Sequence, residues 1–206
     1  MKVCIALTKG RIEKQFLDYF QSLSYCIEPI VNKGRKLRVE TDEFSFVFAK
    51  GVDVATYVEH GIADLGIVGD DILMEFQPDV FDLLPLPFGN CRFALAGEKK
   101  EAVSGKKRVI ATKYPNVTTA YFRQKGEAVD IVKLEGSVEL APLLGLADAI
   151  VDIVETGSTL KENGLVVLEW MQPITARCIA NRSSLKIKRE QITPILDSLQ
   201  IKEAAR

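Results

Sequence analysis

Apolar residues in this chain come in short runs, each closed by a polar turn that contains glycine and each followed by a stretch with helical periodicity. Val3 to Leu7 is the first such run, and after Thr8-Lys9-Gly10-Arg11 the residues Ile12, Phe16, Leu17 and Phe20 fall on one helical face. Ser45 to Ala49 predicts a strand, Lys50-Gly51-Val52-Asp53 a turn, and Val54 to His60 a helix. Ile62 to Gly69 continues as a strand and reaches a helix start at Asp70-Asp71. Further strands are expected over Arg92 to Ala96, Val109 to Thr112, Val129 to Leu134, the run before Glu155, and Leu165 to Trp170. Helices are expected over Val117 to Lys125, Val138 to Leu144, Leu160 to Asn163 and Arg189 to Leu199. Proline restricts two of them: Pro142 fits only an early turn, and Pro194 only a helix start or a kink. Strand, loop and helix in alternation predict an α/β fold.

One pattern occurs twice. Gly61-Ile62-Ala63-Asp64 and Gly145-Leu146-Ala147-Asp148 each precede an apolar strand, a glycine loop and a helix, which suggests two lobes of related topology. Pro85, Pro87 and Gly89 interrupt the pattern before the strand at Arg92, which reads as a crossover, and Gln172 to Ala180 reads as the return. The expected division is residues 1–90 with 177–206 as one lobe and 91–176 as the other, joined by two crossover strands with a ligand cleft between. The charged stretch Glu98 to Arg108, with Ser104-Gly105, reads as a mobile hairpin or a solvated turn.

Composition narrows the function classes. Hydrophobic residues make up 47% and charged residues 27% of 206, the balance of a soluble globular protein. A net charge of -1 argues against a general nucleic-acid footprint, so any basic site must be local. The amino-terminal apolar run is too short for a signal peptide and nothing approaches membrane-spanning length, so a cytoplasmic protein is expected. Cys4, Cys26, Cys91 and Cys178 form no C-x-x-C pair and read as reduced thiols. The single histidine, His60, stands before Gly61 at a helix end, where an imidazole suits the last carbonyls. No Ser-His or Cys-His triad can be assembled elsewhere.

The densest candidate chemistry lies in Asp148 to Leu160, D-A-I-V-D-I-V-E-T-G-S-T-L. Gly157 lets the backbone approach a ligand, the hydroxyls of Thr156, Ser158 and Thr159 can donate, and the amides opening the next helix point outward with the positive dipole end behind them. That suits a phosphate monoester, although the same residues could merely cap a helix. Asp152 favours the first reading, because a carboxylate in an apolar strand needs a partner, and ribose hydroxyls beside a bound phosphate would serve it and Glu155. Lys9 and Arg11 sit after a strand's carboxyl end, where α/β folds meet ligands; solvated cations at a helix start are the alternative. Asn32 to Arg38 is a basic loop that carries Arg35 and Lys36, and Lys50 stands at the second turn. Asp70 and Asp71 read either as nucleotide-side acids or as ordinary helix-start acids.

These segments together resemble the short-form ATP phosphoribosyltransferases that begin histidine biosynthesis. T-K-G-R at Thr8, G-I-A-D-L-G-I-V-G-D-D at Gly61, A-T-K-Y-P-N-V-T at Ala111, E-G-S-V-E-L-A-P at Glu135 and the stretch from Asp148 through E-N-G-L carry the likeness, which runs nearly the whole chain. The resemblance implies a type II periplasmic-binding-protein-like fold, with phosphoribosyl diphosphate (PRPP) and ATP as substrates and N1-(5-phosphoribosyl)-ATP and diphosphate as products. It implies Thr156, Gly157, Ser158 and Thr159 on the 5-phosphate, and Asp152 and Glu155 on ribose hydroxyls or near the cationic carbon. Lys9, Arg11, Arg35 and Lys50 would meet diphosphate or ATP phosphates, with Asp70 on the nucleotide side. Arg11, Arg35 and Asp152 are the expected catalytic residues. Mg²⁺ is expected mainly on substrate oxygens, with Glu135 as an outer-sphere contact. The family's long form adds a regulatory domain after the catalytic part; this sequence, ending at Arg206, resembles the short form, which works in a hetero-oligomer with a histidyl-tRNA-synthetase-like subunit that mediates histidine feedback. Two other readings stay open: a non-enzymatic solute-binding module of the same fold, and a different phosphoribosyltransferase whose PRPP loop also ends in T-G-x-T.

Overall fold

The computed structural model describes residues 2–99 and 107–200. The Ser104-Gly105 turn expected within the charged stretch lies outside the described residues. The chain divides into two compact units, Met1–Gly89 with Thr175–Arg206, and Asn90–Ile174.

The first unit contains β1 (Val3–Thr8), α1 (Arg11–Ser22), α2 (Glu28–Val31), β2 (Arg38–Glu40), β3 (Phe44–Ala49), α3 (Gly51–Glu59), β4 (Leu65–Gly69), α4 (Asp70–Phe76) and β5 (Phe81–Pro85). The second contains β6 (Cys91–Gly97), β7 (Arg108–Thr112), α5 (Pro115–Gln124), β8 (Val129–Lys133), α6 (Leu140–Leu143), β9 (Ala149–Val154), α7 (Ser158–Glu162) and β10 (Val166–Ile174). The chain then returns to the first unit as β11 (Ala176–Ala180), α8 (Ser184–Ile187) and α9 (Arg189–Gln200).

The first sheet runs β2-β3-β1-β4-β11-β5 and the second β10-β6-β9-β7-β8. In each, three parallel strands stand beside one antiparallel strand that the chain forms on arriving from the other unit: β11 pairs with β4, and β6 with β9. Read outward, β3-β1-β4-β11-β5 and β8-β7-β9-β6-β10 are the same order. The G-x-A-D echo is therefore an echo of topology, and its aspartates do the same work. Asp64 N–H donates to the Cys4 carbonyl and its Oδ2 accepts from Cys4 N–H at 2.8 Å. Asp148 N–H donates to Val109 O and its Oδ2 accepts from Val109 N–H at 2.7 Å. Each aspartate locks the start of a central strand to the strand that follows it.

The first core packs α1 and α9 on one sheet face. Phe16, Phe20, Phe46, Ile67, Cys178 and Ile192 are buried there, and Phe20 stacks on Tyr25 at 4.0 Å. Val54, Val58, Val68 and Ile179 fill the α3 side. In the second unit Ala94, Ile150, Val154, Val138 and Leu160 form one buried cluster, and Phe93 meets Tyr114 edge-on at 4.9 Å. Among the described residues no helix is long and apolar enough to cross a membrane.

Several element boundaries differ from expectation. The 50–53 turn is already helical from Gly51, with Lys50 as the N-cap. The helix expected over Val138 to Leu144 shrinks to Leu140–Leu143, and this later start puts Pro142 in the first turn, where no intrahelical donor is lost. Pro194 sits well inside α9 rather than at its start, where the buried stripe of Ile192, Ile195 and Leu199 offsets the lost backbone bond.

Candidate active site

In the first unit β1, β3 and β4 are parallel, so their carboxyl ends share one sheet edge. Thr8 is level with Ala49, and Leu7 with both Phe48 and Ile67. The loops that open from that edge carry the predicted cations. Lys9 N–H donates to Ala49 O at 2.9 Å, Gly10 turns with φ 93° and ψ -131° as the N-cap of α1, and exposed Arg11 is the first helical residue. A side chain would be strained at that φ, so the glycine of T-K-G-R is a backbone requirement. Lys50 is exposed at the start of α3. The basic loop is drawn to the same edge: Phe48 N–H donates to Leu37 O at 2.9 Å, while Lys33 bridges Glu13 at 2.8 Å and lies 4.6 Å above the Phe48 ring. Arg35 is exposed in this loop. The structure thus gathers Lys9, Arg11, Arg35 and Lys50 at one end of one sheet.

Asp70 opens α4 at that edge and is half-buried, and its N–H donates to Thr175 O at 2.9 Å. Burial pushes its carboxyl above the usual carboxylate range; Arg177 opposes this, and Asp82 and Asp71 add to it. Arg177 itself forks onto Asp82 through Nε at 2.9 Å and Nη2 at 2.7 Å. Sequence reasoning missed this pair, because β5 was hidden by its flanking prolines. His60 is the C-cap of α3, and its Nδ1 lies 3.0 Å from Thr56 O, a capping geometry.

In the second unit Asp152 is half-buried on β9, and its Oδ1 accepts from Ile153 N–H at 2.8 Å. Beyond the strand, Glu155 and Thr156 are exposed and Gly157 turns left-handed, φ 75° and ψ 6°, as the N-cap of α7. The hydroxyls of Thr156 and Ser158 lie 3.0 Å apart, so one phosphate oxygen can address both. Buried Leu160 anchors α7. The opening amides of a helix have no partner within it, and here they face the same loop. Glu135, beyond the carboxyl end of β8, is exposed and paired with Lys133 at 3.0 Å.

Two residues that sequence reasoning left out lie beside that loop. Asp152, Ala94 and Trp170 are aligned across β9, β6 and β10, as are Val154, Arg92 and Pro173 one pair further on. Arg92 stacks over Trp170 at 5.4 Å and its Nη2 donates to Met171 O at 3.0 Å. Arg92, Glu155, Trp170 and Val154 line a pocket of about 290 Å³. No local motif joins Arg92 to Trp170, and only the sheet order brings them together.

Comparison with known proteins adds three findings. Residues 50–201 match the family described as HisG: ATP phosphoribosyltransferase. The chain is 52% identical over 201 residues to the ATP phosphoribosyltransferase of Bacillus cytotoxicus, covering 96% of both, and 53% identical over 199 residues to that of Bacillus cereus strain G9842, covering 95% and 94%. Among solved structures it is similar to the ATP phosphoribosyl transferase (HisG:HisZ) complex from Thermotoga maritima, with TM-score 0.82, 37% identity and 96% of both chains covered. It also shares its fold with the periplasmic aliphatic sulphonate binding protein SsuA from Escherichia coli, at TM-score 0.64 and 16% identity over 96% of this chain and 71% of that one.

Proposed function

This chain belongs to the ATP phosphoribosyltransferase family, and on that premise we propose that it transfers the 5-phosphoribosyl group of PRPP to N1 of ATP, releasing diphosphate. The observation that carries this is 52% identity along 96% of both chains to a protein of that name. The T-G-S-T loop, with its left-handed glycine, paired hydroxyls and helix-opening amides, supports it independently.

The reaction asks for little proton transfer. The lone pair of adenine N1 attacks C1 of the ribose while the C1–O bond to diphosphate breaks, and the bonding electrons leave with the diphosphate. A cationic sugar carbon and a departing polyanion must be stabilised, which is positional and electrostatic work. In this mechanism Thr156, Gly157, Ser158 and Thr159 hold the 5-phosphate, and Asp152 and Glu155 accept from ribose hydroxyls and favour charge at C1. Lys9, Arg11, Arg35 and Lys50 neutralise diphosphate or ATP phosphates, and Asp70 lies on the nucleotide side.

The donors present suit a magnesium ion carried in on substrate phosphates. Among the described residues no three of His, Cys, Asp and Glu gather into a metal-holding group, and Glu135 is bonded to Lys133. Mg²⁺ keeps several waters and leans on substrate phosphates in such sites, so it would be carried in on the phosphate oxygens of PRPP and would screen the charge of the leaving diphosphate, with Glu135 at most an outer-sphere contact.

The short form of the family, acting with a histidyl-tRNA-synthetase-like regulatory subunit that conveys histidine feedback, is the finer reading we favour. Its support is the 96% of the Bacillus cytotoxicus relative's own length that is matched and the complex in which the Thermotoga maritima neighbour occurs. A cytoplasmic hetero-oligomer goes with it. The test is diphosphate release from PRPP, ATP and Mg²⁺, with and without the co-purified partner. Release that depends on ATP, is not supported by adenine and rises with the partner is expected. Equal release with adenine points to another phosphoribosyltransferase, and none in either condition to a binding module.

A further inference from the structure

We propose that Arg92 is a substrate-binding residue whose guanidinium takes an anionic oxygen of PRPP in the pocket beside Glu155, and that Trp170 is the positioning residue that holds it ready. This rests on the transferase reading and extends it to side chains that no motif singled out.

The phosphate loop of the second unit has a charge problem. Its candidate ligands for the sugar phosphate include two carboxylates, Asp152 and Glu155, whereas Lys9, Arg11, Arg35 and Lys50 all belong to the first unit. PRPP carries phosphate at both ends, so the carboxylates that suit its ribose hydroxyls repel the rest of it. A cation on the same sheet face would balance them. Arg92 is one pair along from the Asp152–Ala94–Trp170 row, directly across from Val154, the residue before Glu155.

Arg92 is fixed but not neutralised. Among the described residues one of its five N–H donors is bonded, to Met171 O, the guanidinium lies over the Trp170 ring, and no carboxylate is paired with it. Such an arrangement orients the fork without consuming its charge, so little side-chain freedom is lost when a ligand arrives. A planar fork also suits two phosphate oxygens at once, which an ammonium does not match. The pocket that Arg92 lines has Glu155 on its rim and the partly exposed indole of Trp170 as a wall. Trp170 is also the chain's only tryptophan, so binding in this pocket can be read directly.

The experiment combines steady-state kinetics on the complex with a fluorescence titration of the chain alone, using PRPP with Mg²⁺ and no ATP. Arg92→Gln should raise KM for PRPP roughly tenfold or more, as loss of one charge-assisted contact implies, with KM for ATP within about twofold of the starting value. Arg92→Lys should recover part of that loss, and circular dichroism should be unchanged in both. Trp170 emission should shift saturably with PRPP, and the shift should move to higher concentration in Arg92→Gln. A wild-type KM for PRPP in Arg92→Gln, or Trp170 emission unmoved by saturating PRPP, overturns the proposal. If the unaltered complex released no diphosphate at all, the transferase reading would fail while the titration still decided whether Arg92 binds PRPP.

Discussion

At Gly157 the backbone is left-handed, and an added Cβ would meet nothing nearer than Val154 Cγ1 at 3.8 Å. The glycine is therefore required by conformation rather than by space. A side chain in this region costs about 1–2 kcal/mol, and a β-branched one relieves the strain by moving the Ser158 and Thr159 amides that open α7. Gly157→Ala should lower stability by about 1 kcal/mol with a modest loss of PRPP affinity, while Gly157→Val should abolish PRPP binding by calorimetry without unfolding the unit. Wild-type affinity in Gly157→Val would remove the loop from its role as phosphate anchor. The loop was legible in sequence because its chemistry is local: strand, glycine, hydroxyls and helix start follow one another in the chain. Arg92 and Trp170 were not, because they meet only through a strand pairing that shifts register between Trp170 and Pro173, and nothing near either residue announces the other.

Among the elements, the paired G-x-A-D turns were legible as a repeat, and the structure supplies their physical reason in the two aspartates that tie one strand start to the next. Their surroundings differ. Asp64 is buried and also accepts from Ser184 Oγ and Lys188 Nζ, each at 2.7 Å, whereas Asp148 is exposed. Asp64→Ala leaves a largely covered ammonium, a hydroxyl and an amide without their acceptor, a loss of about 3–5 kcal/mol. Asp148→Ala gives up one backbone contact with water at hand, about 1 kcal/mol. Urea denaturation of the two variants should show this order, and equal losses would mean that the shared strand lock, not the added Lys188 pair, sets the worth of Asp64. What the sequence concealed at this scale were the short pieces α2, β2, α8 and β5. Four helical residues or three strand residues carry too little periodicity to register, and β5 is bounded by the prolines that had suggested a break.

Across the whole molecule, the second unit is an insertion in the first. The ends of the insertion meet inside its own sheet, since Cys91 is paired with Ile174 across β6 and β10. While the second unit is folded, the Gly89 and Thr175 ends of the first are held close, and β11 and α9 can dock without closing a long loop. Once it unfolds, the first unit must close an open chain of roughly 85 residues, which costs up to about 4 kcal/mol of loop entropy. Connectivity alone thus makes the first unit depend on the second, and the dependence does not run equally the other way. Two native probes separate the units. Trp170 reports the second, and Cys178, buried in the first with its thiol pushed up to about 12, reports the other. Exposed Cys26 should react with a thiol reagent at once, and Cys178 only when the first sheet opens. Along a urea series, Cys178 should become reactive at or below the concentration at which the Trp170 signal is lost. Loss of the Trp170 signal while Cys178 stays protected would show that the first unit stands without its insert, and that the loop entropy is met by some other part of the fold.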